Sequence, residues 1–122
     1  KAKEMKNVIY CGYLKHEQVL NYLKSAAALI STSLYEGFPN VFLEAWSFGI
    51  PVFSLFVDPS GIMKSNDLGI CYYGNIKKMI MDIEKENLPY NKIELTNFVK
   101  IYHNPEILVA KLINQIQKIS PC

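Results

Sequence analysis

The sequence predicts an α/β fold with a parallel sheet flanked by helices. Short, continuously apolar runs alternate with helical patterns through the first half of the chain. Strands that are buried on both faces have this continuous apolar character, which is typical of parallel sheets covered by helices. Half of the 122 residues are apolar, which is enough for a chain of one-domain length to fold around its own core.

Four strands are predicted, because four short runs are apolar and are bounded by turn residues. They are Val8–Cys11, Ala28–Thr32, Pro51–Phe56 and Ile70–Tyr73. Two helical patterns separate the first three strands, His16–Ala26 and Asn40–Phe48. Asn40 is expected to cap the second helix, and Gly49 is expected to follow its C-terminus.

The second half of the chain is predicted to be helical. Asn75 can cap a helix over Ile76–Glu86, and another helical pattern runs over Lys92–His103. Asn104-Pro105-Glu106 has the cap residue, the proline and the acid that are typical of a helix start. The apolar stripe of this last helix consists of Leu108, Leu112, Ile113 and Ile116.

The composition argues against several classes of function. All 13 basic residues are lysines scattered along the chain, so no basic stripe indicates nucleic acid binding. Cys11, Cys71 and Cys122 are widely spaced, which argues against a disulfide framework or a zinc site and favours a reducing compartment. No apolar run approaches the roughly 20 residues that span a bilayer. His16 and His103 are expected to be surface or helix-end histidines.

Two acids bracket the loop and helix start that follow the second predicted strand. Ligands of open parallel sheets bind outside the carboxyl ends of the strands, which is where this loop lies. The free amides of Val41 and Phe42 at the helix start favour an anion such as a phosphate, and Gly37 allows close approach of the backbone. Glu36 and Glu44 can then accept hydrogen bonds from sugar hydroxyls on either side. A nucleotide-sugar fits this pattern. Taken singly, Glu36 is at least as well explained as a solvated loop acid, and Glu44 as a first-turn acid that complements the helix dipole.

The run STSLYEGFPNVFLEAWSFGIPV, residues Ser31–Val52, closely resembles the signature of group 1 glycosyltransferases. The resemblance is to the retaining enzymes of family four, which have the GT-B fold. Their pattern is a small hydroxyl pair, E-G-F, five residues, E-A, and then G-x-P-V. Weaker similarity extends over Val8–Gly12, Asp58–Ile62 and Asn66–Gly69. The resemblance implies a Rossmann-like parallel sheet that forms the C-terminal, nucleotide-sugar-binding half of such an enzyme.

The resemblance also implies a role for each matching residue. Glu36 would bind hydroxyls of the transferred sugar near the reacting carbon, and it is the expected catalytic residue. Glu44 would hold the ribose hydroxyls. The donor-binding residues as a whole would be Gly12, Leu14, Gly37, Phe38, Asn40, Val41, Phe42 and Glu44. No metal or other cofactor is expected, because amides and basic side chains neutralise the diphosphate in this family.

Within that set, the resemblance implies which part of the donor each residue contacts. The amides of Gly37 and Phe38 would serve the sugar, and those of Val41 and Phe42 the diphosphate. The loop after Gly12, around Leu14, would touch the nucleobase.

The chain departs from the family pattern in two ways. Trp46 and Phe48 stand where small residues are common, which can tighten the packing of the helix. The family's Arg and Lys that grip the diphosphate precede the matching segment, and this chain contains no Arg. Residues 1–122 are therefore expected to form a single, partial donor domain. It would lack the acceptor-binding N-terminal domain and be inactive alone.

The expected function is to bind the nucleotide-sugar donor in a hexosyltransferase of polysaccharide or glycolipid synthesis. The acceptor would be a glycan or a lipid-linked molecule, bound through the N-terminal domain. The intact enzyme is expected in the cytoplasm, with peripheral association at the inner face of the membrane as a further option. A non-catalytic nucleotide-sugar-binding module and a related sugar-nucleotide epimerase are the alternatives. The run E-G-F-P-N-V argues against the epimerase.

Overall fold

A computed structural model describes residues 5–85 and 89–119. Its elements alternate between helix and strand through the first half and are helical thereafter. In chain order they are α1 (His16–Ser25), β1 (Leu29–Ser31), α2 (Asn40–Ser47), β2 (Val52–Ser54), a 3₁₀ turn (Pro59–Gly61), α3 (Ile62–Ser65), β3 (Gly69–Cys71), α4 (Ile76–Ile83), α5 (Lys92–Tyr102) and α6 (Pro105–Ile119). The predicted α/β fold is confirmed.

The three strands form one parallel sheet in the order β1-β2-β3. Leu29 is paired with Val52, and Val52 with Gly69, so the strands run side by side in register. Since parallel strands end at the same edge of a sheet, the loops that follow β1 and β2 lie next to each other. This edge positions the candidate site.

The prediction of a strand over Val8–Cys11 is wrong. The segment lies outside the three-stranded sheet, and the side chains of Ile9 and Tyr10 are 80% and 65% exposed. A β-strand is stabilised by the ladder it joins, and a β-branched, apolar composition does not supply that ladder. The other three predicted strands are confirmed with shorter bounds, and the last begins one residue earlier, at Gly69.

Helix α2 begins and ends through backbone geometry. Pro39, not Asn40, is its N-cap, so the predicted capping role of Asn40 is wrong: Asn40 is already helical, and the Pro39 carbonyl accepts the Phe42 N–H at 3.0 Å. The prediction for Gly49 is confirmed. Gly49 has a φ of 72°, and its N–H donates to the Trp46 carbonyl, while the Ile50 N–H donates to that of Ala45. These two bonds form the Schellman motif that ends many helices.

The sheet is covered on both faces, as the continuous apolar strands predict. On one face, Trp46 and Phe42 of α2 pack with Phe98 of α5. On the other face, a second cluster contains Phe53, Leu55, Tyr72 and Met79. Neighbouring residues of β2 belong to different clusters because side chains alternate between the faces of a strand. The bulky Trp46 that departs from the family pattern is therefore a core residue.

The helices of the second half begin where the sequence predicts. Asn75 Oδ1 accepts the Lys78 N–H at 3.1 Å at the start of α4, and Asn104 Oδ1 accepts the Glu106 N–H at 2.8 Å at the start of α6. Helix α4 ends at Ile83, and the predicted end at Glu86 lies outside the described residues. The apolar stripe of α6 is present, but residues 105–118 are all exposed.

Candidate functional site

A cleft of about 580 Å³ lies at the carboxyl ends of β1 and β2. Its two walls are the loop between β1 and α2 and the loop that leads from β2 into the 3₁₀ turn. The lining residues are Leu34, Tyr35, Glu36, Gly37, Phe56, Val57, Asp58, Pro59 and Ser60. Open parallel sheets bind their ligands at this edge, so the cleft is the candidate site.

Glu36 stands at the wall of the cleft with one carboxylate oxygen already oriented. Its Oε1 accepts a hydrogen bond from the Ser33 hydroxyl at 2.9 Å. The Ser33 amide in turn donates to Ser31 Oγ at 3.4 Å. The second oxygen of Glu36 is left for a ligand, and the carboxylate can accept from a hydroxyl group there.

Asp58 lines the opposite wall of the cleft. Its Oδ1 accepts the Met63 N–H at 2.9 Å and so fixes the start of the short helix α3. Its Oδ2 is buried and has no hydrogen-bond partner among the described residues. Burial raises the pKa of the nearby Cys71 thiol, and the charge of Asp58 raises it further. The sequence placed Asp58 in a loop of family similarity without giving it a role. The available signal is that Asp58 is the first charged residue after the apolar run Pro51–Val57.

Glu44 lies on α2, in its second turn, and is held by a residue of another helix. Its Oε1 is 2.7 Å from Nε2 of His16, the first residue of α1. The Glu44 side chain is 24% exposed and that of His16 is 70% exposed. His16 is at the surface and at a helix start, as expected, but its contact with Glu44 was not predicted. The two residues are 28 positions apart and meet only because α1 packs on α2.

Leu14 and Val41 line a second cavity of about 430 Å³, which lies against α1 and β1. Most of its wall is apolar, with Val19, Leu23 and Leu29 among the lining residues. Gly12 precedes it with a φ of 61°, in the left-handed region that favours glycine. The structure thus places two of the predicted donor-binding residues in a cavity with apolar walls, apart from the Glu36 cleft.

The rings of Phe38 and Phe42 both contact Trp46. The Phe42 side chain is fully buried against Trp46, and the Phe38 ring packs against Trp46 and against His103. Burial lowers the pKa of His103. The Phe42 side chain is therefore closed to a ligand, and its amide already donates to the Pro39 carbonyl, whereas the Phe38 side chain remains 37% exposed. Asn40 is exposed at the first position of α2.

Three further properties concern the described residues alone. Within residues 5–85 and 89–119, no group of three or more His, Cys, Asp and Glu side chains is placed to hold a metal ion. None of the helices in those ranges is long and apolar enough to cross a membrane. Cys11 and Cys71 are free thiols, while Cys122 lies outside the described residues.

The fold and the cleft define an α/β protein with an open cleft at the carboxyl edge of a parallel sheet, the edge at which such sheets bind ligands. The chain belongs to the glycosyl transferases group 1, whose family model matches residues 1–85. No curated protein and no solved structure matches the chain. Membership of this family supports a role in sugar transfer for the intact protein.

Proposed function

We propose that this chain is the nucleotide-sugar-binding part of a retaining glycosyltransferase of the GT-B type. One observation carries the proposal. A single stretch, Ser33–Glu44, brings an oriented carboxylate to the cleft, begins helix α2, and then presents a second oriented carboxylate. An anion-binding helix start between two hydroxyl acceptors matches a diphosphate with a sugar at each end.

At the sugar end, Glu36 accepts hydrogen bonds from the hydroxyls of the transferred sugar. The amides of Gly37 and Phe38 donate to the same sugar. The diphosphate lies at the start of α2, where Val41 offers its amide and Phe42 shares its own with the Pro39 carbonyl. The partial positive charge of the helix start stabilises the phosphates.

At the nucleoside end, Glu44 accepts from the ribose hydroxyls. The base lies near Leu14, where the apolar walls of the second cavity suit a flat aromatic ring. Gly12 lets the backbone turn ahead of that loop, and the exposed Asn40 stands beside the phosphates at the helix start.

In the proposed reaction, the bond between the anomeric carbon and the diphosphate oxygen breaks, and the diphosphate leaves with the electron pair. The acceptor hydroxyl forms its bond to the same face of that carbon and gives its proton to an oxygen of the departing diphosphate. The amides and the dipole of α2 stabilise the charge that develops on the leaving group, which is a large term in such reactions. Residues 1–122 contain no Arg, so within them the neutralisation relies on the backbone groups at the start of α2. The Arg and Lys that the family resemblance implies ahead of the matching segment supply the remainder, with no metal.

The proposal extends to the setting of the enzyme. The acceptor is a glycan or lipid-linked molecule bound by an acceptor domain, and the hexosyl transfer serves polysaccharide or glycolipid synthesis in the cytoplasm, at the inner face of the membrane. Residues 1–122 act as the donor-binding domain and do not transfer sugar by themselves.

The test is Glu36→Ala in the full polypeptide that the gene encodes, assayed with ADP-, GDP- and UDP-sugars. We expect kcat/KM to fall on the order of 10²-fold without loss of folding, because Glu36 binds beside the reacting carbon. Glu94→Ala, an exposed acid on α5, is the control and keeps full activity. Near-normal turnover of the Glu36 variant contradicts the proposal. Conversion of the sugar-nucleotide without an acceptor identifies an epimerase instead, and binding without any turnover identifies a non-catalytic module.

A further inference from the structure

The contact between His16 and Glu44 differs from the other ion pair among the described residues. Lys85 and Asp82 are three positions apart on and just beyond α4, so their contact is local. His16 and Glu44, by contrast, connect the start of α1 to the middle of α2. A contact between two helices fixes the position of a side chain relative to both of them.

Both partners stand on backbone that is fixed independently of any ligand. The start of α1 is closed by two hydrogen bonds, from the Lys15 N–H to Gln18 Oε1 and from the Gln18 N–H to the Lys15 carbonyl, each 2.9 Å. Glu44 precedes Ala45 and Trp46, which are both fully buried. The pair therefore holds the Glu44 carboxylate from two rigid supports, as a precise binding site requires.

The contact occupies one carboxylate oxygen and leaves the other free. An ionised carboxylate only accepts hydrogen bonds, so Nε2 of His16 is the donor to Oε1. Oε2 has no hydrogen-bond partner among the described residues. The side chain keeps 24% of its surface exposed, so a ligand hydroxyl can reach it.

We propose that His16 is a positioning residue for the donor, which holds Glu44 so that its free oxygen meets the ribose hydroxyls. The inference rests on the proposed function, in which Glu44 reads the ribose. A glutamate that is already oriented loses little rotamer freedom when the nucleotide binds, whereas an unheld one must be ordered at that moment. His16 itself touches no atom of the donor in this arrangement.

The test is a thermodynamic cycle between the protein and the ligand, in the full polypeptide. Binding of ADP, GDP and UDP and of their 2′,3′-dideoxy analogues is measured by calorimetry. The dissociation constant of the dideoxy analogue divided by that of the nucleotide is the hydroxyl ratio. It reports how much the ribose hydroxyls contribute to binding. We expect about a tenfold ratio in the wild type, and a ratio about three- to tenfold smaller in His16→Ala.

Two further variants separate positioning from a general structural role. His16→Gln keeps an N–H donor within reach of Glu44 and is expected to restore most of the hydroxyl ratio. Lys85→Ala breaks the other ion pair and leaves the ratio unchanged. A His16→Ala variant that weakens both kinds of nucleotide equally overturns the inference, because a merely structural contact has that effect.

Glu44→Ala distinguishes failure of the inference from failure of the proposed function. If Glu44→Ala collapses the hydroxyl ratio and His16→Ala does not, the role of His16 is wrong and that of Glu44 stands. If Glu44→Ala leaves the ratio intact, the proposed role of Glu44 fails and the inference fails with it. Absence of binding by all three nucleotides contradicts the proposed function itself.

Discussion

The indole Nε1 of Trp46 donates a hydrogen bond to the carbonyl oxygen of Leu68 at 2.9 Å, inside the core. The same carbonyl accepts the Val52 N–H at 3.2 Å, at the start of the ladder between β2 and β3. Trp46 lies two residues after Glu44 on α2. This one bond therefore ties the helix that carries Glu44 to the amino-terminal end of the sheet, where β2 and β3 begin.

Trp46→Phe is expected to destabilise the fold by about 2 to 4 kcal/mol. The substitution removes the bond to Leu68 and leaves space beside Phe42 and Phe98, which touch the indole edge to face. Urea unfolding followed by circular dichroism measures the loss, because Trp46 is the single tryptophan and its fluorescence disappears with it. A loss of unfolding free energy below about 1 kcal/mol would show that the indole contributes little to holding α2 on the sheet.

Gly69→Ala is expected to cost at least about 3 kcal/mol, because a Cβ there would lie 1.9 Å from the Val52 carbonyl oxygen. Gly69 also has a φ of 150°, which side chains rarely adopt. Gly61→Ala is the matched control. Gly61 has a positive φ of 71° but open space around it, so only the backbone cost of about 1 to 2 kcal/mol applies. Equal losses in urea unfolding for the two variants contradict the predicted clash.

Leu95→Ala and Leu112→Ala compare the two long C-terminal helices. Leu95 on α5 is 1% exposed and packs with the core below α2, so its truncation should cost about 2 to 5 kcal/mol. Leu112 on α6 is 56% exposed, and its truncation should change stability by less than about 0.5 kcal/mol. Chemical denaturation of both variants measures the difference. A loss of unfolding free energy for Leu112→Ala as large as that for Leu95→Ala would show that the Leu112 side chain is buried in solution, which contradicts its exposure on α6.

The features that the sequence predicts correctly are local. The Schellman end at Gly49 and the caps at Asn75 and Asn104 depend on a few neighbouring residues, so their residue types reveal them. Asn40 shows the limit of such reasoning. Proline before it takes the extended conformation of an N-cap, and the backbone closes the helix start without the asparagine side chain.

The features that the sequence does not reveal depend on distant parts of the chain. Val8–Cys11 has the composition of a strand, but joining a sheet requires a neighbour that composition does not specify. Likewise, His16 meets Glu44 because α1 packs on α2. Asp58 and Glu36 line one cleft because β2 lies beside β1. Residue types indicate which side chains are candidates for such a site, and the fold determines which of these side chains come into contact.

Stability is expected to fall at alkaline pH through the buried Tyr72. Burial raises the pKa of Tyr72 from its ordinary 10.0 to about 12, and the charge of Asp82 contributes. The native state therefore holds the phenolic proton more tightly than the unfolded chain. The stability from this difference is complete below pH 10 and is lost as the pH rises through about 12. Urea unfolding at pH 8 and pH 12 should reveal about 2 to 3 kcal/mol of loss from Tyr72.

Tyr72→Phe is the variant that isolates this effect. Asp82 lies near the Tyr72 hydroxyl without a well-formed hydrogen bond between them, so removing the hydroxyl costs under about 1 kcal/mol at pH 8. The variant should lose less stability than the wild type between pH 8 and pH 12. Tyr13→Phe, at a fully exposed ring, should keep the alkaline loss of the wild type. An unchanged pH dependence in Tyr72→Phe contradicts the assignment.

Ser33→Ala is expected to lower kcat/KM for sugar transfer about three- to tenfold in the full polypeptide, with no change in the free energy of unfolding. The Ser33 hydroxyl holds Glu36 Oε1 at 2.9 Å, and without it the exposed glutamate must be ordered by the substrate. Ser33→Thr keeps the hydroxyl and should retain most activity. Ser65→Ala removes an exposed hydroxyl on α3 that lines neither cavity, and it should leave activity unchanged. If Ser33→Ala has no more effect than Ser65→Ala, then the orientation of Glu36 does not depend on Ser33.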